Sequence, residues 1–212
     1  MKLFIFDLDG TILDTLDDLH DSVNYALSCA DFPQRSLDDV KSFVGNGILK
    51  LVQRAVPEGT NDADVDKVYA AFKDYYRQHC ADKTKPYNGI VSALRKLKAE
   101  GYKLAVVSNK ADFGVQILCK KYFDGLFEFA VGAKEGIRKK PYPDAVLEVL
   151  ERMCVEKSEA VYIGDSDVDI ETAKNAGLRC ISVDWGFRSR EFLLEHGAET
   201  IISCPDELFL TL

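Results

Sequence analysis

Asp7 and Asp9 follow directly on an apolar run, Leu3–Phe6, and are followed by Gly10 and Thr11. Side chains two residues apart start on the same side of an extended chain. The two carboxylates therefore face one space, while Leu8 points the other way, into packing. A second apolar run, Ala160–Ile163, leads through Gly164 into Asp165 and Asp169. Four carboxylates gathered at one place repel severely if they are ionised and unpaired. A cation removes that repulsion. The donors are hard oxygens, few in number and without His or Cys, which suits Mg²⁺ completed by water and a phosphate oxygen.

A metal-bound phosphate also needs hydrogen-bond donors and positive charge. A third apolar run, Leu104–Val107, ends in Ser108-Asn109-Lys110. Ser108 offers a hydroxyl, and Asn109 a backbone amide at an expected helix N-terminus. Lys139 and Lys140 precede Pro141-Tyr142-Pro143-Asp144. The prolines fix the direction of entry into the next helix, so a lysine there can be aimed. Lys140, directly before Pro141, is the choice over Lys139. Taken singly, these pieces have ordinary readings: an Asp-Gly turn, a Ser-Asn helix cap, an acidic helix start that offsets the dipole. Their joint occurrence after apolar runs argues for a site.

The elements that must position these residues are legible as patterns. Leu3–Phe6, Leu104–Val107, Ala160–Ile163 and Cys180–Val183 are short apolar runs without alternation, as in strands buried on both faces of a parallel sheet. Phe127–Val131 and Thr200–Ile202 are weaker strand candidates. Between them lie helical stripes: Ile90, Leu94 and Leu97, stopped by Gly101; Phe113, Ile117 and 120–122; Ala145, Val146, Val149 and Leu150, entered through Pro143; Ile170, Ala173 and Ala176, stopped by Gly177. The expected fold is α/β, a Rossmann-like parallel sheet with helices on both faces. Ligands of such sheets bind beyond the carboxyl ends of the strands, where all three polar clusters fall.

Residues 15–80 differ. Leu16, Leu19, Val23 and Leu27 repeat at helical spacing. Ser36 to Asp39 resembles a capping box before a short helix ending near Gly45. Ile48, Leu49, Val52 and Val56 make another stripe, and Asn61 can cap a helix bearing Val65, Val68, Phe72 and Tyr76. The reading is a helical domain over 15–80, inserted into a core domain of 1–14 and 81–212.

The chain has 212 residues, 47% hydrophobic and 29% charged, with a net charge of -8. That balance allows a real core and argues against a nucleic-acid or anionic-membrane partner, which would want a basic excess. The opening apolar run is too short for a signal peptide, and no stretch reaches the roughly 18 apolar residues of a membrane span. The six cysteines are scattered singly, so reduced thiols and a cytoplasmic protein are expected. The three histidines show no metal-ligand spacing.

Asp7-Leu8-Asp9-Gly10-Thr11, Ser108, Lys140-Pro141 and Gly164-Asp165 with Asp169 resemble the four signature motifs of the haloacid dehalogenase superfamily, in its phosphatase branch. The insert after the first motif resembles the family's type C1 cap. Val44-Gly45-Asn46-Gly47 and Trp185-Gly186-Phe187 are similar to stretches of phosphoglycolate phosphatase-like members. The resemblance implies a phosphatase for small phosphoesters, as a monomer or homodimer. It implies Asp7 as nucleophile, Asp9 as general acid and base, and Ser108, Asn109 and Lys140 at the phosphate. It further implies Mg²⁺ on Asp7, the Asp9 carbonyl and Asp165, with Asp169 as ligand or orienter. Sugar-phosphate mutases share these motifs. A phospho-acceptor signalling module, the reading from another class, would be shorter and would carry its aspartate on an interior strand. A catalytically dead interaction protein is disfavoured because Asp7, Asp9, Ser108, Lys140 and Asp165 are all present. In the cap, Lys50 and Arg54 lie one helical turn apart near the glycine turn and are candidates for an anionic substrate end, as part of a lid.

Overall fold

The computed structural model describes residues 1–211. In chain order the main elements are β1 (Leu3–Phe6), α1 (Leu16–Ser28), α2 (Leu37–Phe43), α3 (Ile48–Ala55), α4 (Asp62–His79), α5 (Ile90–Ala99), β2 (Lys103–Ala111), α6 (Asp112–Phe123), β3 (Phe129–Ala133), α7 (Asp144–Met153), β4 (Ala160–Gly164), α8 (Asp167–Ala176), β5 (Arg179–Val183), α9 (Arg190–Glu195) and β6 (Ile201–Ile202). They fall into two compact units: Met1–Asp14 with Pro86–Leu212, and Thr15–Lys85.

The first unit is a six-stranded sheet in the order β3-β2-β1-β4-β5-β6, and every pair is parallel. The apolar runs form the central strands because both of their faces are covered. Leu3 and Ile5 join Val107, Tyr162, Val146, Val149 and Ala173 in one buried cluster, which brings α7 and α8 onto that face. Phe4 and Phe6 point the other way, onto Tyr102 and Phe127. The register sets Phe6 beside both Val106 and Ile163. Asp7 and Gly164, the next residues, therefore stand at one edge of the sheet, level with Val107.

Two expectations shift here. β2 does not end before Ser108 but runs on to Ala111, so Asn109 lies within a strand and not at a helix start. The buried face of α6 consequently falls out of phase with the sequence reading. Gly114, Val115, Leu118, Cys119 and Phe123 are buried, while Ile117 is 39% exposed.

In the second unit, α1 to α4 bury Leu19, Val23 and Leu27, Val40, Ile48, Leu51, Val52 and Ala55, and Val65, Val68, Phe72 and Tyr76. Leu49 lies outside this face, and Leu51 and Ala55 take its place. The caps are local chemistry. Ser36 Oγ accepts the Asp39 amide while Asp39 accepts the Ser36 amide, and Asn61 accepts the Asp64 amide. Residues 81–85 belong with these helices. The buried Asp18 carboxylate accepts the Lys83 amide at 2.9 Å and the Thr84 amide at 2.8 Å.

No helix among the described residues is long and apolar enough to cross a membrane, and the cysteines are thiols outside any disulfide. Asp18→Ala removes the acceptor from the amides of residues 83 and 84, the second of which is buried. It is expected to destabilise the protein by about 1–3 kcal/mol, read as a lower urea midpoint in far-ultraviolet circular dichroism.

Candidate functional site

The carboxyl edge of the sheet gathers Asp7, Asp165 and Asp169. One carboxylate oxygen from each lies within 4.8 Å of the others, and all three residues are buried. Two backbone devices make the crowding possible. Gly10 has φ +84°, and a Cβ there would stand under 3.0 Å from the Asp165 carboxylate. A Cβ on Gly164 would meet Asp169 in the same way. Both positions need glycine because a carboxylate occupies the space of a side chain.

Lys140 is the cation of this cluster. Its Nζ lies 2.7 Å from Asp169 Oδ1, 3.0 Å from Asp7 Oδ1 and 3.0 Å from the Tyr162 hydroxyl, with 3% of its side chain exposed. Burial works against its charge, but Asp169 and Asp7 outweigh burial and hold it protonated, well above the ordinary lysine range. Lys139 is exposed. Lys140 is aimed by its own backbone as well as by Pro141. Asn109 Nδ2 donates to the Lys140 carbonyl at 3.0 Å, and the Lys140 amide donates back to Asn109 Oδ1 at 2.9 Å. The Asn109 side chain thus fastens the lysine to β2. The Tyr162 hydroxyl accepts from Lys140 and offers its own proton to the Val107 carbonyl and Asp169 Oδ1.

Asp169 is saturated by protein donors. Oδ1 takes Lys140 and Tyr162, and Oδ2 takes the Ser166 amide at 3.2 Å and hydroxyl at 2.6 Å at the start of α8. Asp165 differs. Thr11 Oγ1 donates to Oδ1 at 3.1 Å and the Phe187 amide to Oδ2 at 2.8 Å, and among the described residues no lysine or arginine pairs with it. Asp7 Oδ1 is buried and accepts no hydrogen bond in good geometry, although Lys140 lies at ion-pair distance. Burial, only partly offset by Lys140, pushes Asp7 up to about 6. Burial and then the Asp169 and Asp7 charges push Asp165 up to about 8. An under-bonded buried oxygen, a carboxylate without a counter-charge and an all-oxygen donor set fit a hard divalent cation.

Asp9 stands apart from this cluster. Lys110 Nζ lies 2.8 Å from its Oδ1 and 3.1 Å from its Oδ2, and only 2% of the Lys110 side chain is exposed. The lysine stem runs along Gly114, where a Cβ would press on it at 3.2 Å. Ser108 is buried, and its oxygen accepts the Lys110 amide at 3.3 Å, which leaves its own proton to donate.

The sequence profile of the haloacid dehalogenase-like hydrolases matches residues 4–183, which takes in Asp7, Asp9, Ser108, Lys110, Lys140, Asp165 and Asp169. The chain belongs to that family. A phosphoglycolate phosphatase of Psychrobacter arcticus is 36% identical over 88% of this hydrolase and 84% of its own length. One from Mesorhizobium japonicum is 31% identical over 99% and 94%. Among solved structures, a candidate phosphoglycolate phosphatase from Lactobacillus delbrueckii subsp. bulgaricus has a TM-score of 0.91 at 40% identity, covering 98% of this chain and 96% of that one. A predicted one from Haemophilus somnus has a TM-score of 0.93 at 28% identity, covering 100% and 97%.

In this hydrolase the structure thus gathers Asp7, Asp165, Asp169 and Lys140, with Asn109 behind the lysine and Asp9 on a separate lysine. Sequence reasoning passed over Lys110, although it stood in the polar cluster after Val107. It also left Tyr162 inside an apolar run. Arg54, read as a contact for an anionic substrate end, donates to the Phe43 carbonyl at 2.7 Å and to Asn46 Oδ1 at 2.9 Å, which ties it to the glycine turn of its own unit.

The raised carboxyl groups fix the sign of a pH effect. Binding a cation requires the ionised form, so protons compete with it. Affinity for a divalent cation should fall as pH drops below about 8, where Asp165 takes up its proton, and further below about 6, where Asp7 does. Calorimetric titration of metal-free protein should show a loss of roughly tenfold per pH unit for each proton taken up. A flat profile between about pH 8.5 and about pH 5.5 contradicts the assignment of these two carboxylates.

Proposed function

We infer that this hydrolase is a phosphatase of small phosphomonoesters that forms an aspartyl-phosphate on Asp7, and that 2-phosphoglycolate is its substrate. The observation that carries the reading is Asp7 itself: a buried carboxylate, one oxygen without a good hydrogen bond, at the carboxyl edge beside Lys140. The relatives' activity supports the substrate. In this reading the helical unit is the family's cap and selects the leaving group, because phosphate and metal contacts alone cannot.

Asp7, Asp165 and the Asp9 carbonyl would hold Mg²⁺, with Asp169 fixing Lys140 beside them. Bound there, the ion supplies neutralisation of phosphate charge and a fixed orientation for the phosphoryl group. An Asp7 oxygen attacks phosphorus, the ester P–O bond breaks, and Asp9 gives a proton to the departing oxygen. Asp9 then takes a proton from water, whose oxygen attacks the phosphorus of the acyl phosphate. Inorganic phosphate leaves and the Asp7 carboxylate returns. Lys140 and Ser108 supply positive charge and a proton donor to the phosphoryl oxygens.

Phosphate release from 2-phosphoglycolate tests the reading. Activity should vanish with EDTA and return with Mg²⁺. Asp7→Asn should abolish both turnover and covalent labelling by phosphate, since an amide is a poor nucleophile. A normal burst of labelled enzyme from Asp7→Asn places the nucleophile elsewhere. Equal rates on 2-phosphoglycolate and on neutral esters of similar size leave a broad phosphatase and remove the substrate assignment.

Lys110 grips both oxygens of Asp9 and so sets where that carboxyl group points. Lys110→Met is expected to lower kcat on alkyl phosphates by about tenfold to a hundredfold, part of what a positioned acid contributes. p-Nitrophenyl phosphate should slow much less, because its phenolate leaves without a proton. A uniform loss on both substrates argues against an effect through Asp9.

A further inference from the structure

Trp185-Gly186-Phe187 follows β5 and reaches back onto the carboxylate edge. Trp185, the single tryptophan, donates its indole Nε1–H to the Thr11 carbonyl at 3.0 Å. Thr11 is fully buried, and its hydroxyl donates to Asp165 Oδ1 at 3.1 Å. The Phe187 amide donates to the other oxygen, Asp165 Oδ2, at 2.8 Å. Gly186 lies between them, and a Cβ there would stand under 3.0 Å from the Asp165 side chain and from the Gly10 carbonyl oxygen. Each oxygen of Asp165 is thus held by one protein donor, and the two donors together fix the plane of the carboxylate. Thr11 lies in the loop that carries Asp7 and Asp9, so the indole bond also anchors that loop to the segment after β5.

A carboxylate oxygen with one hydrogen bond keeps lone-pair capacity for a cation. Mg²⁺ demands near-ideal octahedral geometry at about 2.0–2.1 Å, whereas Ca²⁺ accepts looser shells at about 2.3–2.6 Å. A carboxylate free to rotate therefore penalises Mg²⁺ more than Ca²⁺. Donors that orient a ligand typically contribute about 10–100-fold in metal affinity.

We propose that Trp185-Gly186-Phe187 is a clamp on Asp165 that sets the affinity for Mg²⁺ and its preference over Ca²⁺. Trp185 acts through Thr11, and Gly186 acts by leaving room for the carboxylate; both are positioning residues. The proposal rests on Asp165 being a cation ligand, as in the function inferred above.

The test is calorimetric titration of metal-free full-length protein with Mg²⁺ and, separately, Ca²⁺. Wild type, Trp185→Phe, Gly186→Ala and Asp165→Asn are compared. Trp185→Phe keeps an aromatic ring and loses the donor. It should weaken Mg²⁺ by about tenfold and Ca²⁺ by less than about threefold. Gly186→Ala should lose at least as much Mg²⁺ affinity. Unchanged Mg²⁺ affinity in both variants overturns the clamp. So does an equal loss for both ions accompanied by a lower melting temperature, which marks a purely structural role. Asp165→Asn separates the two levels: if it binds Mg²⁺ like wild type, the cation reading itself fails and the clamp with it. If the clamp variants do not fold, the wild type still decides. Its single indole N–H resonance should move during Mg²⁺ titration with the calorimetric dissociation constant, and an unmoved resonance refutes the coupling.

Discussion

The structure turns on one electrostatic constraint, three buried aspartates within ion-binding distance at the end of a parallel sheet. Like charges in a poorly hydrated space raise one another's pKa and oppose folding unless something compensates. Much of the local architecture is that compensation. Lys140 is buried between Asp7 and Asp169, and the start of α8 satisfies the second Asp169 oxygen. The glycines at 10, 164 and 186 give up side chains so that carboxylates can occupy their space. Among the described residues Asp165 is left with two neutral donors and no counter-charge, which concentrates the unmet negative charge at one group. A cation placed there completes a balance that the protein leaves open.

The carboxylate edge was legible because of how parallel strands are made. Leu3–Phe6 and Ala160–Ile163 are apolar on both faces, so they read as buried strands without help from a partner. The residues after each strand must emerge at one edge, and the aspartates do. β2 was harder for the same reason. Ser108, Asn109 and Lys110 are polar, so the apolar run stops at Val107, yet the strand runs on to Ala111. That mismatch hid two side-chain roles. Asn109 reads as a helix cap only if the strand has ended. Lys110 becomes a partner for Asp9 only once the register of β2 on β1 carries it past the end of β1. Both relations join residues distant in sequence, and no local pattern encodes them. The phase of α6 failed with them, since a helix that starts at Asp112 turns a different face inward. The backbone bond of Arg54 was hidden for another reason: a charged residue on an exposed helical turn looks the same whether it serves a ligand, a neighbouring turn of backbone or both.

Lys140 shows how much structure one aimed charge requires. A buried ammonium costs free energy unless its hydrogens and its charge are both matched. Asp169 and Asp7 match the charge, Tyr162 adds an acceptor, and Asn109 holds the backbone from which the side chain extends. Tyr162 sits in β4, Asn109 in β2 and Asp7 after β1. The lysine is therefore braced by three adjacent strands of one sheet, whose register is itself fixed by the apolar faces beneath. Packing and the carboxylate site are coupled through that register: a slip of one residue in β1 would turn Asp7 away and bring Leu8 to the edge.

Asp7 and Asp9 leave the same strand two residues apart, and their surroundings divide them. Asp7 enters a closed group of carboxylates, where burial raises its pKa and leaves one oxygen poorly bonded. Asp9 turns to a different lysine and is partly open to solvent. A nucleophile needs to be held against the phosphoryl group with its lone pairs available, whereas an acid and base needs access to the departing oxygen and then to water. Two identical side chains from one loop can take these two tasks only if the protein gives them unlike environments. Lys140 and Lys110 create that difference. Each comes from a separate cluster in the sequence and is buried against one of these two aspartates, so the difference within Asp7-Leu8-Asp9 is made by residues more than a hundred positions away.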